Sequence, residues 1–165
     1  MSDNPFPLSR DELLDIYQTM RTIREFEERV HVEFSRGDIP GFVHLYAGEE
    51  ASAAGIMTHL RQEDRIASTH RGHGHCIAKG VDLNEMMAEL LGKTTGTNKG
   101  KGGTMHIADI KKGMLGANGV VGSNIPVAAP YTHLRAHETS LHLVCRPLLE
   151  KNKIQLPRKV AAFPL

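Results

Sequence analysis

Glycine recurs at positions 92, 96, 100, 102, 103, 113, 116, 119 and 122, so one stretch of some thirty residues holds more than half of the chain's 16 glycines. Glycine at this density is used where backbone must come close to something, and it constrains the fold more than any other feature of the chain. Residues 92–103 are otherwise nearly all Lys, Thr and Asn, and apolar character returns over 105–108 and 114–122. Regular elements to pack around this segment must come from the sequence before it.

Ser9 and Glu12 have capping-box spacing, and Ile16, Met20, Ile23, Val30 and Phe34 follow at helical intervals until Gly37 and Pro40. This pattern predicts a long amphipathic helix. Arg21, Arg24, Glu25, Glu28 and Arg29 lie on its other face and read as an ion-paired solvated surface, with a subunit contact as the alternative. Residues 37–48 read as a loop carrying Phe42, Val43, His44 and Leu45, and the alanine-rich stretch 49–60 as a second helix. Residues 65–69 have the length and β-branched content of a buried strand and run directly into His70-Arg71-Gly72-His73-Gly74-His75, read as a glycine-rich loop. Function often sits at such strand ends. Asp82 and Glu85 repeat the cap-plus-three spacing and open a third helix through Met86, Met87, Leu90 and Leu91, with the methionines as core filler.

Several function classes lose support from composition. The 20 Lys+Arg against 19 Asp+Glu give no electrostatic case for nucleic acid. Trp is absent and aromatics are few, which disfavours a base-stacking surface. Cys76 and Cys145 are far apart with no CxxC pair, so neither a disulfide framework nor a thiolate zinc site is indicated, and a cytoplasmic setting fits. No apolar run nears the ~20 residues that span a bilayer, and the first seven residues lack a signal-peptide core.

No window of the glycine-rich stretch satisfies the phosphate-loop or dinucleotide fingerprints. A flexible basic loop and an anion-binding loop, with backbone N–H groups beside Lys99 and Lys101, both fit its composition. The alternation and i+3 spacing of His70, His73 and His75 on a glycine-rich run do not bring three imidazoles together predictably, which disfavours a metal. Arg71 offers a permanent forked charge for phosphate, and the neighbouring imidazoles suit proton transfer near neutral pH. That pairing suits a diphosphate cofactor whose reactive carbon handles carbanions.

Five motifs now stand in order: Gly41-Phe42-Val43-His44-Leu45, Gly48-Glu49-Glu50-Ala51, Thr69-His70-Arg71-Gly72-His73-Gly74, Lys99-Gly100-Lys101-Gly102-Gly103-Thr104-Met105-His106 and Gly116-Ala117-Asn118-Gly119-Val120-Val121-Gly122. Together, over roughly residues 8–129, they resemble the alpha subunit of thiamine-diphosphate-dependent E1 dehydrogenases. The stretches around His70-Arg71, His75 and residues 107–115 look more like acetoin dehydrogenase than bacterial pyruvate dehydrogenase.

The resemblance implies an α/β fold, the N-terminal part of a doubly wound thiamine-diphosphate-binding domain, helix-rich in the portion present. It implies cofactor contact by His70 and Arg71 at the diphosphate and by the backbone of Gly119 and Val121 at the aminopyrimidine, with Val121 helping to hold the bent cofactor. His44 and His73 are the implied catalytic residues, donating to a developing alkoxide or moving a proton. The implied reaction cleaves acetoin or decarboxylates pyruvate and passes the two-carbon unit to a lipoyl group on an E2 partner. The implied assembly is an α2β2 heterotetramer with an E1 beta subunit, which supplies the acid that activates the aminopyrimidine. Glu49 and Glu50 then need no role beyond that of first-turn helix acids.

The family continues beyond residues 122–129 into an Ala/Gly-rich helix, a strand and a Gly-Asp-Gly segment whose Asp, with a later Asn, holds Mg2+ against the diphosphate. Here Pro130-Tyr131-Thr132-His133 follows, no Gly-Asp-Gly occurs, and no metal ligands are assigned. The expected division is 1–129 as the N-terminal portion of the E1 alpha domain and 130–165 as a disordered or artefactual tail resembling translated adapter or vector sequence. A chain so truncated is expected to expose a sheet edge, dissolve poorly and be inactive alone. The alternative is an inactive remnant that docks a beta subunit through its long helix.

Overall fold

The computed structural model describes residues 8–133 and 160–162. Most of the segment set apart as a tail, residues 134–159 and 163–165, lies outside the described residues.

Helix α1, Arg10–Arg36, begins at the predicted capping box: Ser9 Oγ accepts from the Glu12 N–H while the Glu12 carboxylate accepts from the Ser9 N–H. It stops at Gly37, whose φ of +84° is the left-handed cap that glycine adopts without Cβ strain. The buried stripe is Ile23, Phe26, Glu27, Val30 and Glu33. Two glutamates thus occupy core-facing positions, whereas Phe34, expected on the apolar face, is exposed. On the opposite face Arg21 pairs with Glu25 as expected, while Arg29 reaches across to Glu33 of the buried stripe. Arg24 departs from that pattern and crosses to Glu50 on α2, Glu50–Met57.

Strand β1, Arg65–Thr69, has the predicted bounds and is the middle strand of a parallel sheet. On one side it pairs with β2, Met114–Asn118, and on the other with β3, Val160–Ala162, giving the order β2-β1-β3. Helix α4, Leu83–Leu90, is capped by Asp82, whose carboxylate accepts from the N–H groups of Asn84 and Glu85. Helix α5, Asn124–His133, follows β2 and crosses the residue-129 boundary. Ile23, Val30, Tyr46, Ile66, Met86, Leu90, Ile107 and Met114 form the centre of the core. None of the described helices is long and apolar enough to cross a membrane.

The histidine-rich segment is the main departure from the sequence reading: residues expected in a loop form α3, His73–Ala78. Gly74 disfavours a helix by roughly 1 kcal/mol relative to Ala. Packing reverses that preference, because a Cβ at Gly74 would stand 2.2 Å from the ring of the buried Tyr46. Here glycine gives close approach rather than flexibility.

Candidate functional site

The carboxyl ends of β1 and β2 lie side by side, with Thr69 in register opposite Asn118. The chain leaves β1 into His70 and Arg71, and β2 into Gly119, Val120 and Val121. In open parallel sheets, ligands bind outside this end of the strands.

His70 packs edge-to-face against His44, with ring centroids 5.0 Å apart. Its Nδ1 is buried without a hydrogen-bond partner, a polar atom that a bound group would satisfy. Burial lowers the pKa of His44, and the nearby His70, Arg71 and His73 lower it further, so His44 is neutral at physiological pH. The half-buried Arg71 gives one N–H to the Leu45 carbonyl at 2.6 Å, which orients the guanidinium while leaving donors of its fork for an anion. Beyond β2, Gly119, Val120 and Val121 are exposed. Phe42, next to the His44 segment, is 78% exposed. His44, His70, Arg71 and the 119–121 turn therefore gather at one sheet end. Two grooves of about 220 and 260 Å3 along α1 are lined by none of these residues.

His73 is placed differently. Its side chain is 0% exposed, with Nδ1 2.8 Å from Glu27 Oε1 and Nε2 3.0 Å from the Thr104 carbonyl oxygen. A carbonyl only accepts, so Nε2 carries a proton, and a further proton lies between Nδ1 and the Glu27 carboxyl. His75 faces inward as well, between Ser68 Oγ at 2.6 Å and Tyr46 Oη at 3.0 Å. Burial takes its pKa down to about 4, so this imidazole is neutral, and pushes Tyr46 up to about 12. The three histidines of the cluster thus face three separate sets of neighbours. No group of three or more His, Cys, Asp or Glu among the described residues could hold a metal ion.

The glycine-rich loop does bind an anion, but an internal one. Glu89, on α4 and 0% exposed, accepts from the N–H groups of Asn98, Gly100 and Gly102 at 2.7, 2.8 and 2.7 Å. Those donors are therefore not offered to an external ligand. Neither Glu89 nor Glu27 stood out in the sequence, although each sits at core-face spacing: Ile23, Glu27, Val30 and Met86, Glu89, Leu90. A carboxylate at such a position is the signal that would have found them.

The family described as dehydrogenase E1 component matches residues 18–142. The alpha subunit of acetoin:2,6-dichlorophenolindophenol oxidoreductase from Cupriavidus necator is 66% identical over 121 residues, covering 73% of this chain and 36% of the relative. Its Bacillus subtilis counterpart is 62% identical with the same coverage. The pyruvate dehydrogenase E1 component subunit alpha of Zymomonas mobilis is 43% identical, with 34% of its length covered. The chain thus spans about a third of the length of these relatives.

Proposed function

Since this chain belongs to the dehydrogenase E1 component family, we propose that its paired strand ends form the alpha-subunit share of a thiamine-diphosphate site. Bound there, the cofactor supplies carbanion chemistry and an electron sink. The observation that carries the reading is the register of Thr69 opposite Asn118, from which His70-Arg71 and Gly119-Val120-Val121 leave adjacent strands at one end of the sheet.

In this reading Arg71, braced on Leu45, gives its remaining donors to the diphosphate, and the unpartnered Nδ1 of His70 is satisfied there too. The backbone of Gly119 and Val121 would hold the aminopyrimidine, with the exposed Val121 side chain against the cofactor. His44 is the imidazole free to give or take a proton at the reacting atoms, since burial and neighbouring charge keep it neutral. His73, sealed in the core with both ring nitrogens engaged, is in this reading a positioning residue instead of one that meets the reacting atoms: it holds the Thr104 carbonyl, and Thr104 Oγ1 in turn donates to Phe42 O at 2.7 Å, two residues before His44.

The proposed substrates are acetoin or pyruvate, with identity favouring acetoin. A beta subunit completing the site, a lipoyl-bearing E2 as acceptor and a cytoplasmic setting belong to the same reading. Mg2+ is expected with the diphosphate, but the described residues offer it no ligand cluster. The residue range 1–129 is proposed as the family portion.

Calorimetric titration of thiamine diphosphate with Mg2+ into the chain co-expressed with an E1 beta subunit tests the proposal. Binding should be saturable and should weaken at least tenfold in Arg71→Ala. Binding to the complex that ignores this substitution, or no binding to it at all, would refute the assignment.

A further inference from the structure

We infer that Glu89 is a positioning residue for this site: a buried carboxylate around which the glycine-rich segment is wound, fixing both walls of the strand-end cluster. As far as it concerns the cofactor, the inference rests on the reading proposed above.

Three backbone N–H groups from one short loop meet the two oxygens of a fully buried carboxylate, at distances typical of charge-assisted bonds. The glycines follow from this winding. A Cβ at Gly96 would lie 2.4 Å from Glu89 Oε2, and one at Gly102 would lie 2.6 Å from the His106 carbonyl oxygen. Gly100 has φ +75° and would bring a Cβ within 2.4 Å of the Gly92 carbonyl carbon. The composition that suits a flexible basic loop is therefore that of a tight coil around one internal charge.

Two sets of bonds lead from the coil to the site. Asn98, whose N–H is held by Glu89, donates its side-chain amide to the His106 carbonyl. His106 Nδ1 lies 3.3 Å from the Ala117 carbonyl oxygen, and the Ala117 N–H donates to Ile107 O at 3.0 Å, tying the segment to β2 just before Gly119. In the other direction the coil ends at Thr104, which holds His73 through its carbonyl and Phe42 through its hydroxyl. Losing the central anion loosens the aminopyrimidine ledge and the His44 wall together.

The test is amide hydrogen exchange on the whole chain, paired with thiamine diphosphate affinity in complex with a beta subunit. In the wild type the amides of Asn98, Gly100 and Gly102 should be protected. Glu89→Gln keeps the shape but turns an NH2 donor toward N–H donors. Exchange at one or more of the three should then accelerate at least about tenfold, with α1 and β1 still protected, and cofactor affinity should fall by a similar factor. Gly100→Ala, which keeps the Glu89 carboxylate but strains the backbone that carries one of its donors, should reproduce both effects. Unprotected wild-type amides, or Glu89→Gln with wild-type exchange, would overturn the inference even if the variant proved hard to fold. Accelerated exchange with unaltered affinity would overturn the positioning role. A wild-type complex that binds no cofactor would instead refute the proposed function, while the exchange data would still judge the coil.

Discussion

Replacing His73 with Ala removes the imidazole from two bonds at once and leaves the Glu27 carboxyl in the core without its partner. Both side chains are 0% exposed at a 2.8 Å contact, and Glu27 Oε2 already has no hydrogen-bond partner. Removing one member of such a pair costs about 3–5 kcal/mol, and the space left against Phe26, whose ring meets His73 edge-on, raises the cost further. Against a typical domain stability of ~5–15 kcal/mol this is a large fraction. Glu27→Gln should cost far less, about 1 kcal/mol, because a neutral imidazole can donate from Nε2 to Thr104 and accept the Gln amide at Nδ1. Urea unfolding of the wild type, Glu27→Ala, His73→Ala and the double variant gives the coupling directly. It should reach about 2 kcal/mol, with the double variant little worse than His73→Ala. Additivity within about 0.5 kcal/mol would refute the pairing.

Gly74→Ala should cost at least ~1–3 kcal/mol, read as a fall in urea midpoint, because its Cβ meets the Tyr46 ring at 2.2 Å inside the core. His75 gives a pH signature. With its pKa lowered from 6.5 to about 4, only the unfolded chain takes up the proton between those values, so stability should fall on acidification through this window by at most about 1.4 kcal/mol per pH unit. His75→Gln should flatten that slope in unfolding curves at successive pH values. Glu50, held down to about 2 chiefly by the Arg24 guanidinium, adds stability present above its ordinary value of 4.5 and lost as pH falls toward 2; Arg24→Ala should shrink this component.

Local rules made much of the fold legible. The Ser9 and Glu12 box, the Gly37 stop, the strand Arg65–Thr69 and the Asp82 cap each follow from a few neighbouring residues, and each stands as read. Helix α3 was hidden because its one glycine, Gly74, answers to Tyr46, which lies far away in sequence. The family motifs set His44 beside His73 near the substrate, whereas His44 packs against His70, and the sealed surroundings of His73 depend on Glu27 and Thr104, which come from distant segments. The anion served by the glycine-rich loop was hidden for a related reason. Composition tells that N–H groups are freed, but only the packing of α4 shows that Glu89 takes them.

The most direct test of the strand-end assignment is 31P NMR of thiamine diphosphate with Mg2+ in the presence of the chain bound to an E1 beta subunit. Both phosphorus resonances should broaden and shift with the wild type and return toward their free positions with Arg71→Ala, whereas thiamine monophosphate should respond weakly. Resonances that broaden equally with wild type and Arg71→Ala would contradict the account.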